Sequence, residues 1–381
     1  MKGLYKYSFP VLICGGLLTT CVEPYAPPAV ETPASYLVVD GYINSTDASA
    51  IVKLSRSIPL ASTETPPAEL NATVSIEDDK GNKTLLTGDK NGKYTGSDII
   101  INSTSLYRLR IKTIDNKEYI SDYITLKETP PIDELTWTPK KDGIDITVST
   151  HDDSGNSRYY QWDYDETWEY TAVYYSGYIF TNNILVLRPY NQSIYRCWRT
   201  TSSHEINIAS SDQLQQDVIS NHLVTYIPVG SQKLFIKYSI LLRQRAITRE
   251  AYNYWEQLEK TTESLGGLFD PQPGKVAGNI YNTADADEPV LGYFSGGTVQ
   301  SQRFFLSAND LPNELRRFQG TDGCNLDTIL VKDIKNYNPQ YSEAVGEVTE
   351  GIIILGYILT TRSCADCRTQ GGTTTQPDFW Q

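Results

Sequence analysis

The chain has 381 residues, a formal net charge of −13 at neutral pH and 39% hydrophobic residues. This length and hydrophobic content predict about two domains, each with its own core. Its acidic balance argues against a nucleic-acid partner, whose phosphates repel a negative surface. The 27 tyrosines and single methionine favour strands with amphipathic faces over helical bundles. Only three histidines are present, which leaves little material for histidine-based catalysis or metal binding. No cofactor and no metal site are predicted.

Residues 1–20 have the pattern of a secretory signal peptide, in which two lysines precede the apolar stretch Phe9–Leu18. That stretch is too short to span a bilayer as a helix. It leads to Leu-Thr-Thr-Cys, which resembles a bacterial lipobox, so we expect cleavage before Cys21 and acylation of Cys21. Plain secretion with Cys21 as a spare thiol is the alternative. The Pro-rich residues 21–34 predict an extended tether between this lipid and the globular part.

Four further cysteines, Cys197, Cys324, Cys364 and Cys367, remain in the exported chain. Their even number predicts two disulfides, but the sequence does not choose among the three possible pairings. Cys364 and Cys367 have the spacing of half a zinc ribbon or of a redox pair. A ribbon needs a second close pair, and a redox motif needs a βαβ setting, and neither is present. Two disulfides would tie the C-terminal segment to the middle of the chain.

Residues 35–128 alternate between short β-rich runs and turn sequences. About seven strands in such a length predict an immunoglobulin-like β-sandwich. Within the run at residues 106–112, for example, Tyr107, Leu109 and Ile111 share one face, as the two-residue period of a strand requires. Two consecutive prolines at positions 130 and 131 then break the pattern and mark a domain boundary.

Residues 132–381 predict a second, larger β-rich domain that contains one inserted amphipathic helix near residues 248–265. Thr248 is the expected N-cap of that helix, and two glycines at positions 266 and 267 end it. The later run Ile352–Leu355 is apolar on both faces, so we expect it to form a central, buried strand. The fold class predicted for the chain is therefore mainly β.

The most aromatic part of the chain is residues 159–178. Tyr160, Trp162 and Tyr164 share one face of a predicted strand, and we interpret them as core residues rather than as a stacking surface for a ligand. A second group surrounds a glycine in a predicted loop, where exposed rings can contact a sugar or a protein. The residues of this possible contact surface are Tyr174, Tyr175 and Tyr178.

Two carboxylate clusters are candidates for catalysis, one at residues 163–166 and the other at residues 151–153. Paired carboxylates can hydrolyse glycosides when they are held about 5–9.5 Å apart, but we interpret both clusters as solvated turn residues. Residues 285–288 are acidic yet lack the spaced ligands and glycine of an EF-hand. The sequence contains no nucleotide-binding or serine-hydrolase motif. We therefore assign no catalytic residue, and a carboxylate-dependent hydrolase remains the less favoured alternative.

Several stretches resemble the Bacteroidota lipoproteins grouped as domain of unknown function 4249. The stretches that carry this resemblance are Cys21–Tyr25, Tyr36–Gly41, Tyr160–Trp162, Glu166–Trp168, Tyr252–Leu258, Phe269–Pro273, Gly278–Ile280, Cys364–Arg368, Gly371–Gly372 and Pro377–Trp380. The resemblance implies a lipoprotein of the outer membrane that is often encoded beside a TonB-dependent outer-membrane receptor. We therefore expect such a receptor as the partner and expect the lipoprotein to be exposed at the cell surface. It implies no activity. From it we predict a non-enzymatic accessory or substrate-capture subunit of such a transporter, with a glycan-binding surface lipoprotein as the alternative and an unassigned ligand.

Overall fold

The computed structural model describes residues 35–58, 62–102, 104–263, 278–317, 320 and 322–381. The predicted signal peptide, Cys21, the tether and the glycines expected to end the helix lie outside these residues. The described part is mainly β, which confirms the fold class predicted from the sequence. None of its helices is both long and apolar enough to cross a membrane.

The described elements are 22 strands and two α-helices, apart from short 3-10 turns. The strands before residue 130 are β1 (Leu37–Asn44), β2 (Ser49–Arg56), β3 (Thr73–Asp78), β4 (Lys83–Gly88), β5 (Lys93–Gly96), β6 (Tyr107–Lys112) and β7 (Glu118–Ser121). The later elements are β8 (Ile132–Pro139), β9 (Gly143–His151), β10 (Tyr159–Thr171), β11 (Tyr178–Thr181), β12 (Ile184–Leu187), β13 (Arg196–Ser202), β14 (Ile208–Ser210), β15 (Val218–Pro228), β16 (Lys237–Ala246), α1 (Arg249–Glu263), β17 (Ile280–Asn282), β18 (Val290–Gly297), β19 (Gln300–Ser307), β20 (Leu326–Leu330), β21 (Ser342–Glu350), β22 (Ile353–Thr361) and α2 (Arg362–Ala365).

The first sheet has nine strands in the order β17-β7-β6-β3-β4-β5-β2-β1-β18, folded in a sandwich-like manner around one apolar core. Tyr107, Leu109 and Ile111 of β6 are buried, as their alternation predicts. Strands β17 and β18 follow α1 in the chain, so late residues complete the sheet that residues 35–128 begin. Strand β18 pairs in parallel with β1. At Gly292 the two strands come so close that a Cβ would lie 1.9 Å from the carbonyl oxygen of Val39.

A second core lies between a five-stranded sheet and a three-stranded sheet. The five-stranded sheet has the order β13-β10-β16-β19 with β14 paired to β10, and the other sheet has the order β15-β9-β8. Tyr160, Trp162 and Tyr164 of β10 are all buried in this core. Their interpretation as core residues is therefore confirmed.

Helix α1 packs between the two β regions. Thr248 caps it through its Oγ1, which accepts the backbone N–H of Ala251 at 3.2 Å, as predicted. The buried face of the helix carries Ala251 and Tyr254, which pack with Tyr159 of β10 and Tyr293 of β18. Because those two strands belong to different sheets, the helix packs against both sheets.

A third, smaller layer contains the sheet β20-β22-β21 and the hairpin β11-β12. Strand β22 is central in its sheet, but the prediction that Ile352–Leu355 is buried is wrong. Ile352 is fully exposed, Ile353 is 63% exposed, and Ile354 and Leu355 are exposed as well. Only one face of this sheet is covered, through Tyr178, Leu185 and neighbouring residues. The apolar run lies at the tip of the β21–β22 hairpin, beyond that cover.

The four described cysteines form two disulfides, Cys197–Cys367 and Cys324–Cys364. Cys364 and Cys367 are therefore not bonded to each other, and each joins a different distant segment. The buried carboxylate of Asp366 lies between them and accepts hydrogen bonds from the guanidinium groups of Arg362 at 3.1 Å and Arg368 at 2.8 Å. The C-terminal segment is thus a cross-linking element of the fold, in agreement with the expected tie to the middle of the chain.

Candidate functional site

A cleft with a volume of about 560 Å³ opens between the first sheet and the five-stranded sheet. Tyr42 of β1 lies on one wall, and Asp163 of β10 with Arg243 and Arg245 of β16 lies on the other, while Trp255 of α1 contributes from the helix. This volume falls in the range of about 300–1,000 Å³ that is usual for small-molecule sites. We call this cavity the cleft.

The two-residue period of the strands explains why polar groups face the cleft. The buried side of β10 is aromatic, so the residues between the aromatic ones, Gln161, Asp163 and Asp165, point outward. Leu242 and its alternate neighbours on β16 are likewise buried, which turns Arg243 and Arg245 outward. The antiparallel register places Asp163 opposite Arg243 and Gln161 opposite Arg245. The wall is therefore a row of paired charges.

These charges neutralise one another. The Nε of Arg243 donates to Asp163 at 2.5 Å, and its Nη1 donates to Asp165 at 2.7 Å. Arg245 forms an ion pair with the other oxygen of Asp163, and the hydroxyl of Ser202 donates to Asp165 at 2.7 Å. Burial raises the pKa of Asp165, but the hydrogen bonds from Arg243 and Ser202 outweigh it and hold the pKa below its usual value. This carboxylate is ionised at neutral pH.

The structure corrects the interpretation of residues 163–166 as solvated turn residues, because all of them lie within a long strand. Glu166 points away from the two aspartates and is buried, where it accepts hydrogen bonds from Tyr238 at 2.7 Å and Lys233 at 2.5 Å. Glycoside hydrolysis needs one protonated carboxyl group and one ionised carboxylate. The ion pairs of Asp163 and Asp165 do not fit the proton-donating role.

The aromatic groups of the cleft come from separate elements. The guanidinium of Arg245 lies over the ring of Tyr42, with its Cζ 4.6 Å from the ring centroid. Burial raises the pKa of the Tyr42 hydroxyl well above its usual range, so that the group stays protonated. Trp255 of α1 also lines the cleft. Its Nε1 and the Nε of Arg245 are both buried and lack a hydrogen-bond partner within the described part of the chain.

The wall formed by the first sheet carries a second polar row. Asp40 of β1, Lys53 of β2 and Lys93 of β5 lie at matching positions on three neighbouring strands, and all three line the cleft. The register also places Tyr42 opposite Ile51. Among the described residues, no hydrogen bond or ion pair holds the ammonium groups of Lys53 and Lys93 or the amide of Gln161. These groups remain available to a ligand.

The structure does not bring Tyr174, Tyr175 and Tyr178 onto one open surface. Tyr175 is 53% exposed and makes an edge contact with Tyr195, whereas Tyr174 and Tyr178 are only partly exposed. Tyr178 packs against Tyr357, and burial together with a hydrogen bond to Glu347 raises the pKa of Tyr178 to about 12. None of the three predicted contact residues lines the cleft.

The other acidic clusters have local roles. Asp152 accepts the backbone N–H of Ser154 at 2.9 Å, as its interpretation as a turn residue predicts. The Nδ1 of His151 lies 2.7 Å from the Oδ2 of Asp133, and this hydrogen bond raises the pKa of His151. Within residues 285–288, Glu288 accepts hydrogen bonds from neighbouring side chains of the first sheet. Over the described residues, no group of three or more histidine, cysteine or acidic side chains could hold a metal ion.

An exposed apolar surface is the second notable feature, and the sequence analysis missed it. Leu326 and Leu330 of β20 lie on the same side of the sheet. The hairpin tip, where the pairing of β21 with β22 is irregular at Leu355, adds Ile352, Ile353, Ile354 and Leu355. All of these side chains are exposed. We call this group of six residues the apolar surface. Hydrophobic run length alone, without knowledge of the covering layer, could not reveal it.

The model of a family described as domain of unknown function (DUF4249) matches residues 22–303. That range includes the residues of the cleft, while the apolar surface and three of the paired cysteines follow it. No curated protein matches the chain at a significant level. Because the match covers well over half of the sequence, the chain belongs to the domain of unknown function family DUF4249.

Proposed function

We propose that the mature chain is a non-enzymatic lipoprotein of the outer membrane, anchored through Cys21 and exposed at the cell surface. In this proposal it is an accessory or substrate-capture subunit of a TonB-dependent transporter. The observation that carries the proposal is the apolar surface. Consecutive exposed apolar residues are unfavourable in water and mark a contact site for another molecule.

The surroundings of the apolar surface favour a protein partner. Strand β21 carries the exposed Glu350 opposite Ile353, β20 carries the exposed Asp327, and the exposed Lys332 follows Leu330. An apolar centre with a polar rim is the usual anatomy of a protein–protein interface. Acidic groups at this place would be repelled by an anionic lipid surface. A partner protein with an apolar patch and a polar rim fits better.

The second support is the cleft, which gives the protein a place to hold a small molecule near the transporter. Most of its lining residues lie on strands of two sheets, and the segment 203–207 between β13 and β14 adds to the lining, so a ligand would lie largely on rigid strands. Asp163 and Asp165 are neutralised by arginines, which supports binding rather than catalysis as the role of this site.

The test is purification of the tagged lipoprotein from outer membranes solubilised in mild detergent. We expect a TonB-dependent barrel to be recovered with it. Replacement of Ile352 and Ile353 together by serine should reduce this recovery at least about tenfold, because each buried isoleucine contributes about 1.5–3 kcal/mol to an interface. Leu85→Ser is the matched control, since Leu85 is a similarly exposed apolar residue on β4 of the first sheet.

Two results would contradict the proposal. One is repeated recovery of the wild-type lipoprotein without any barrel. The other is recovery of the barrel by the double serine variant at the wild-type level, which would mean that the apolar surface is not the contact.

A further inference from the structure

We infer that the cleft binds a neutral, hydroxyl-rich ligand, namely a short oligosaccharide. This inference rests on the proposed function and names the class of molecule that the protein captures. It assigns the ligand site to the cleft between the sheets and not to the surface around Tyr175.

The first argument is the charge of the wall formed by β10 and β16. Asp163 and Asp165 are held by Arg243 and Arg245, so the fixed charges largely cancel inside ion pairs. A site with cancelled charges has no strong field to select an ion. Its carboxylates and guanidinium groups still present acceptors and donors in fixed planes. A sugar hydroxyl both donates and accepts hydrogen bonds, which matches such a mixed row.

The second argument is the number of unused polar groups. The amide of Gln161 and the ammonium of Lys53 have no hydrogen-bond or ion-pair partner in the described part of the chain, and both line the cleft. The Nε of Arg245 and the Nε1 of Trp255 are buried donors that also lack an acceptor there. Buried donors without acceptors are rare in folded proteins. Ligand oxygens in the cleft would supply the missing acceptors after small side-chain adjustments.

The third argument is the presence of aromatic rings beside these polar groups. Tyr42 and Trp255 both line the cleft, from β1 and α1 respectively. Aromatic rings contribute a large apolar area at a small cost in conformational entropy. A pyranose ring combines an apolar face of C–H groups with hydroxyls at its edge, so it can contact a ring and the polar row at once. A purely apolar ligand would leave the polar row unsatisfied. The ammonium groups of Lys53 and Lys93 are balanced by the carboxylates of Asp40 and Glu205 in the same lining, so an ion of either sign would meet like charge as well as opposite charge.

The experiment uses the full lipoprotein purified in mild detergent. An array of neutral and uronic-acid oligosaccharides is screened first, and the members that bind are measured by isothermal titration calorimetry. We expect at least one neutral oligosaccharide of two to four rings to bind. Since this ligand carries no charge, its affinity should change less than about twofold between low and high salt.

The variants Gln161→Ala and Trp255→Phe localise the site. Gln161→Ala removes an unpartnered amide, and Trp255→Phe keeps an aromatic ring while it removes the unpaired N–H. Each should weaken binding at least about fivefold, the loss expected for one hydrogen bond of about 1 kcal/mol. Tyr175→Ala is the control outside the cleft and should bind as the wild type does. Circular dichroism spectra of all variants establish that they are folded.

The inference is overturned if no neutral oligosaccharide binds, if only acidic oligosaccharides bind with a steep dependence on salt, or if Tyr175→Ala abolishes binding while Gln161→Ala does not. Failure here is distinguishable from failure of the partner proposal. A lipoprotein that recovers the barrel but binds no sugar refutes the ligand class alone. Sugar binding that depends on Gln161, without any recovered barrel, refutes the partner alone.

Discussion

The disulfide between Cys197 and Cys367 should contribute more to stability than the one between Cys324 and Cys364. The first closes a sequence separation of 170 residues and the second a separation of 40 residues. In the chain-entropy description, a cross-link destabilises the unfolded chain by an amount that rises with the logarithm of loop length. The corresponding contributions are about 5 kcal/mol for the longer loop and about 4 kcal/mol for the shorter loop.

Burial increases this difference. Cys197 and Cys367 are both fully buried and belong to the core beneath β10, whereas Cys324 is partly exposed. Replacement of both cysteines of a pair by alanine removes the cross-link without placing a hydroxyl in the core. The pair Cys197→Ala with Cys367→Ala also leaves a small cavity, which adds to the loss of stability. Urea unfolding followed by tryptophan fluorescence measures each effect, since Trp198 is adjacent to Cys197 in β13.

The pair Cys324→Ala with Cys364→Ala is the matched control, because it removes the same number of sulfur atoms and also frees the C-terminal segment at one point. We expect both variants to unfold at lower urea than the wild type, and the variant without Cys197 and Cys367 to unfold first. An equal effect of the two variants, or a larger effect of the control, would refute the reasoning from loop length and burial. Labelling of free thiols in the unfolded wild type checks that both bridges are present.

Two further predictions concern the backbone and a buried charge. Asp366→Asn should lower the free energy of unfolding by about 2 kcal/mol in urea, because it weakens charge-assisted hydrogen bonds to Arg368. Burial raises the pKa of Asp366, but those hydrogen bonds outweigh it and lower the pKa below its usual value. The wild type should therefore lose this stability as the pH falls below about 4. The variant should lose less stability over the same pH range, which a pH series of thermal melts measures. Gly292→Ala should lower the free energy of unfolding by about 3 kcal/mol or more, since the φ of Gly292 is +140° and the new Cβ would overlap the backbone of Val39. Gly81→Ala, at φ +91° with open space around it, is the control and should cost about 1 kcal/mol in the same unfolding assay.

Local patterns predicted much of the fold. The alternation of Tyr107, Leu109 and Ile111 identified a strand and its buried face, and the same reasoning identified the core side of β10. Thr248 was recognised as a helix cap from its position before an amphipathic segment. These features depend on neighbours within a few residues, and a sequence read one element at a time contains that information.

Features that depend on distant partners could not be predicted in the same way. The polar side of β10 suggested solvated acids, because nothing local indicates that Arg243 lies opposite Asp163 on a strand about 80 residues later. The parallel pairing of β1 with β18 joins residues about 250 positions apart. The cleft lies between two sheets, and each of these long-range pairings assembles one of its walls. The sequence therefore shows the cleft residues only as separate polar positions, and it does not indicate that they form one site.

The apolar surface and the cleft belong to one cross-linked frame. Cys324 precedes β20 and Cys364 follows β22, so their disulfide joins the ends of two paired strands opposite the exposed hairpin tip. Three residues later, Cys367 bonds to Cys197 of β13, which pairs with Tyr170 of β10, the strand that also forms a wall of the cleft. The hairpin tip is thus held in place by strand pairing and covalent bonds. A preformed apolar surface loses less conformational entropy when a partner binds than a flexible segment would. The rigidity of the hairpin tip therefore favours the proposed role of the apolar surface as an interface.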